Sequence, residues 1–177
     1  MYLVAQYKLN ELMRQQEDYK WKLAQITGEI RDLTTYAENI ADSDNLFGSL
    51  FTTPASMYGR QLAYMNGSSI FSETQMNEQM SRLQQNPWYQ EEMQKYQDQP
   101  AAWNARYQQM QNYFRQQARA QFAKYESRLL HEKEKTLENR KAHIEQSLSA
   151  IEKQIGNMQK EISSGSESLF GGGNQRG

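Results

Sequence analysis

Two histidines, His131 and His143, and a few neighbouring carboxylates are the residue types in this sequence that could do metal or acid–base chemistry. A metal ion needs ligands that converge on one point, and on a single helix that means positions three or four apart. His131 and His143 stand twelve residues apart, so they could share an ion only with ligands brought from elsewhere. The pairs Glu91–Glu92 and Glu132/Glu134 lack the Glu-x-x-His spacing by which helical bundles build metal centres. There is no cysteine, which excludes disulfides, thiolate zinc sites and cysteine nucleophiles. Gly171–Gly172–Gly173 neither follows a strand nor opens a helix, as a phosphate-binding loop must. No Ser or Thr sits in a nucleophile motif. These residues predict a protein that is not an enzyme, with no cofactor and no small-molecule substrate.

The elements that would position side chains are easier to read. Leu9, Leu12, Gln16, Tyr19, Leu23, Ile26, Ile30, Leu33, Ala37 and Ile40 step by alternating three and four residues. So do Leu130, Glu134, Leu137, Lys141, Ile144, Leu148, Ile151, Ile155, Met158 and Ile162. Each stripe sustains about four heptads, enough to predict a coiled coil. The two rods have equal length and could cover each other, within one chain or between chains. Glu134 and Lys141 place polar groups in the seam, which costs stability and can fix register or partner. Gly28, with Ala24 one turn before it, makes a small patch where another helix could approach closely, or is a tolerated surface glycine.

Bulk composition agrees with thin helices better than with a wide core. Of 177 residues 37% are hydrophobic, mean hydropathy is −0.97, and only three are proline. Lys and Arg number 20 against 21 Asp and Glu, so charge supplies no general attraction to nucleic acid or to an acidic membrane. No run of apolar residues is long enough to span a bilayer. The first residues lack a basic stretch and an apolar core, so a cleaved secretory signal is not expected. The expected location is the cytoplasm, with export that needs no cleaved signal as the alternative.

Boundaries follow from local signals. A first helix is predicted over 3–41, ending in the turn-forming cluster Asp42-Ser43-Asp44-Asn45. The segment 42–71 reads as a cap packed over the end of a bundle or as a docking loop, because from Leu46 to Phe71 it is rich in large apolar residues and Arg60 is its only charged residue. Its candidate interaction residues are Leu46, Phe47, Leu50, Phe51, Met57 and Tyr58, with one short helix around 57–65. Ser72-Glu73-Thr74-Gln75 matches a capping box, and Asn86-Pro87 places a good N-cap before a first-turn proline. With Gln99-Pro100 these predict middle helices over 73–98, broken near 86, and a long helix over 100–163. A flexible Gly/Ser tail is expected over 164–177. Ser43–Ser49 echoes Ser166–Gly172, either as a short duplicated motif or by chance similarity of helix ends.

In the last helix the apolar positions Tyr107, Met110, Phe114, Ala118, Phe122, Tyr125 and Leu129 fall out of phase with the later heptads. That stutter predicts a change of partner: the first part packs on the middle helices and the second on helix one. The basic residues between, Arg106, Arg115, Arg119 and Lys124, lie mostly off the stripe, as on a solvated face, so nucleic acid is not expected. The fold class predicted is all-α: one domain over 1–163, an elongated bundle with coiled-coil pairing of the N-terminal helix and the C-terminal half of the last. The function predicted is structural, as a subunit or adaptor of a larger complex with a protein partner, itself or another helix. A discrete chaperone-like binding module using residues 46–65 is the alternative. Paired terminal helices around a variable middle also describe signal-less exported filament subunits of bacteria, an analogy of architecture that no motif here carries.

Overall fold

Three- and four-residue spacing of apolar side chains, many good helix formers and rare proline leave helix as the favoured state along most of the chain. The computed structural model describes residues 2–41 and 51–170, and 94% of it is helical, with no strand among the described residues. Helix α1 spans Tyr2–Ala41; a 3-10 turn at Ala55–Met57 leads into α2, Tyr58–Gln84; α3 is Pro87–Lys95; α4 is Pro100–Phe170. The all-α expectation holds.

The breaks at proline fall where local chemistry puts them. The Asn86 side chain accepts a hydrogen bond from the Trp88 amide at 3.0 Å, with Pro87 in the first turn where it lacks nothing. The expected break at Ser72 is absent: α2 runs through it from Tyr58 to Gln84, so the short helix at 57–65 and the later one from 73 are one element. Ser72 faces inward, and its hydroxyl donates to the Ser69 carbonyl at 3.0 Å instead of capping anything. A cap contributes only about 1 kcal/mol, and the inward positions Tyr64, Ser68, Ser72, Met76 and Met80 bury a continuous face that outweighs it. The last helix likewise passes its expected end at 163 and continues to Phe170. Ser163 and Ser164 donate to the Lys160 and Glu161 carbonyls, at 2.9 and 3.1 Å, a back-bond that lets serine stay in a helix. Residues 171–177 lie outside the described residues.

The chain divides into two compact units: Met1–Arg31 with Glu134–Gly177, and Asp32–Lys133. The first is an antiparallel pair of α1 and α4. Leu12 packs with Ile151 and Ile155, flanked by Leu9, Tyr19 and Met158. Gln16 Nε2 donates to Glu152 Oε1 at 3.2 Å, and Ile26 lies near Arg140 and Ile144. As numbers rise along α1 they fall along α4. Leu137 is buried, while Leu23, Ile26, Ile30, Ile144, Leu148 and Ile162 are half-buried, the exposure expected when each helix has one neighbour.

The second unit adds α2. Its core joins Leu33, Tyr36 and Ile40 of α1 to Met57, Tyr64 and Leu130. Arg60 meets Glu126 and Glu73 meets Arg115, so α2 also runs antiparallel to α4, and α1 and α2 run in the same direction. Beyond the end of α1, α2 and α4 continue together to α3, where Trp103 packs edge-on to Tyr89 with ring centres 5.2 Å apart.

Candidate functional site

A helix shared between neighbours must turn its buried face. From Phe114 the inward positions of α4 step by four residues: Ala118, Phe122, Glu126, Leu130. Four residues overshoot a 3.6-residue turn, so the inward face winds around α4, reaching α2 first and then α1. Tyr125 and Leu129, expected on the packing stripe, are therefore exposed, and Glu126 and Leu130 are buried in their place.

A buried carboxylate is tolerable only if paired. Glu126 Oε1 accepts from Arg60 Nε at 2.7 Å and from the Tyr36 hydroxyl at 3.3 Å. One oxygen thus ties α4 to α2 and α1. The Tyr36 ring is fully buried, and burial, followed by the Glu126 charge, pushes its phenol well above the ordinary tyrosine range. Tyr64 is pushed up for the same two reasons. Burial opposes the charge of Arg60, but the hydrogen bond and charge of Glu126 outweigh it and hold the guanidinium above its usual value. A carboxylate so engaged is a helix clamp.

Next to the clamp, Phe122 lies between Tyr64 and Phe71, its ring centre 5.5 Å from each. It fits because residue 67 is glycine: a Cβ there would stand 2.9 Å from Phe122 Cζ. Gly67 thus serves close packing of α2 on α4.

The first unit holds a shallow hollow of about 240 Å³ lined by Tyr19, Ile26, Arg140, His143, Ile144 and Ser147. Its His–Ser pair is not set for nucleophilic attack. Ser147 Oγ donates to the His143 carbonyl at 3.0 Å and stands 3.5 Å from His143 Nδ1, so its proton is already engaged by the backbone. No three His, Asp or Glu side chains cluster as metal ligands among the described residues, and no described helix is long and apolar enough to cross a membrane.

Of the six residues singled out for interaction, the structure describes three. Met57 is buried in the core of the second unit, Phe51 is 94% exposed and Tyr58 is half-exposed beside the exposed Leu62. Leu46, Phe47 and Leu50 lie outside the described residues, as does the 43–49 echo. A surface outside the predicted seams lies on the outer side of α1, where Leu3, Tyr7 and Trp21 are 80%, 75% and 62% exposed. Its signal was present in the sequence as a second three-and-four repeat. No family model, no curated protein and no solved structure matches the chain.

Proposed function

We propose that this protein is a non-enzymatic assembly protein, a subunit or adaptor of a larger complex that works through coiled-coil packing of its helices. The observation that carries the reading is the first unit: two long helices bury one shared stripe, and one of them keeps large apolar side chains on its outer side. Leu3 and Tyr7, one turn apart, make an exposed apolar patch of the kind that marks a place for another protein, and Trp21 stands further along the same side. The side chains with chemical potential support the same reading, because Glu126, Arg60 and Tyr36 are spent on one another. Light scattering behind size-exclusion chromatography tests it. Mass that rises with concentration supports assembly, and a monomer at every concentration refutes self-assembly.

The almost fully exposed Phe51, with Tyr58 and Leu62 nearby in sequence, favours a second reading, a module that captures one partner. That reading predicts a monomer that binds one protein in fixed ratio and loses it when Phe51 and Leu62 are changed to Ser.

A further inference from the structure

The outer side of α1 carries a complete second repeat. Leu3, Tyr7, Asn10, Arg14, Glu17, Trp21, Ala24 and Gly28 step by 4, 3, 4, 3, 4, 3 and 4 residues. From Tyr7 onward each lies two residues from a position of the seam that faces α4, about 200° around the helix. All but Gly28 are exposed, and a Cβ at Gly28 would meet nothing within 4 Å. A mid-helix glycine costs about 1 kcal/mol relative to Ala, and nothing in its own unit uses the space it leaves.

We propose that this face is the docking surface for a second copy of the same chain, the two α1 helices pairing antiparallel about a two-fold axis between Arg14 and Glu17. The inference rests on the assembly reading above and names its partner. The run of steps is palindromic, so an antiparallel copy meets it in register along about 38 Å of helix. Leu3 then faces Gly28, Tyr7 faces Ala24, Asn10 faces Trp21 and Arg14 faces Glu17, each pair occurring twice as an isologous interface requires. Large side chains at one end meet small ones from the other, and the two central pairs are of opposite charge. The parallel arrangement fails both criteria: Arg14 would face Arg14, Glu17 would face Glu17, and the two Gly28 positions would leave a gap. The same pattern explains why Gly28 lies at the far end of the repeat from Leu3.

Sedimentation equilibrium of the full chain at low salt tests the pairing. The expected result is a concentration-dependent dimer. Arg14→Glu or Glu17→Arg turns two attractive pairs repulsive and weakens it about tenfold, and the double exchange restores it. Gly28→Leu abolishes the dimer while leaving helicity by circular dichroism unchanged or higher, which separates loss of docking from loss of folding. Self-association that ignores Gly28→Leu and both charge reversals overturns this pairing and leaves the assembly reading in place. A chain that stays monomeric to about 1 mM overturns this pairing and self-assembly with it.

Discussion

Removing Arg60 should harm the protein more than removing Glu126, although the two form one pair. Deleting one member of a buried ion pair costs about 3–5 kcal/mol, because the survivor is left charged and unpaired. The survivor's access to water decides how much of that is felt. Arg60 keeps 32% of its side chain exposed and Glu126 only 12%. Arg60→Met therefore strands the poorly hydrated carboxylate, with only the 3.3 Å bond from Tyr36, and should cost about 2–3 kcal/mol. Glu126→Leu strands a guanidinium that can turn to water, at about 1 kcal/mol, and the double variant should resemble Glu126→Leu. The larger loss corresponds to about 10–20 °C in Tm for a cooperative unit of this size. Circular dichroism melts of the two single variants and the double variant check this. An Arg60→Met loss below about 0.5 kcal/mol, or one no larger than that of Glu126→Leu, would refute the clamp.

The buried tyrosines set an alkaline limit. Because the phenols of Tyr36, Tyr64 and Tyr89 are raised above their ordinary value of 10.0, the fold holds protons that the unfolded chain releases, so stability is intact below about pH 10 and falls above it. Tyr36→Phe should cost about 1 kcal/mol at pH 7 by losing its bond to Glu126, yet flatten the alkaline decline in urea titrations. Gly67→Ala should destabilise by about 1 kcal/mol in spite of better helix propensity, since Phe122 is held between two rings, whereas Gly28→Ala should stabilise the monomer by about as much. Opposite signs in paired melts are the test. Ile151→Asp puts an unpaired carboxylate among Leu12 and Ile155, and should cost about 3 kcal/mol or more. Hydrogen exchange should then speed up in residues 5–31 and 134–162 while the amides around Tyr36 stay protected.

Much of the fold is legible in order of residues alone, and the reason is locality. The three-and-four spacing of Leu9 through Ile30 and of Leu137 through Ile162 determines two helices with one apolar stripe each, whatever they pack against. Asn86-Pro87 and Gln99-Pro100 determine where α3 and α4 begin, because an N-cap and a fixed φ act within one turn. The outer repeat from Leu3 to Gly28 is equally local in origin. Tertiary structure decided what depends on distant partners. Either direction of helix pairing satisfies a heptad stripe, and only the meeting of Leu12 with Ile151 and Ile26 with Ile144, and of Arg60 with Glu126 and Glu73 with Arg115, makes the pairs antiparallel. Ser72 carries a capping signal that the buried face of α2 overrides. Gly67 and Ser68 look like loop until Phe122 and α4 close on them. Glu126 looks like a solvated residue beside the seam, and becomes its centre because its partner lies 66 positions earlier in the chain, a separation that no local pattern reports.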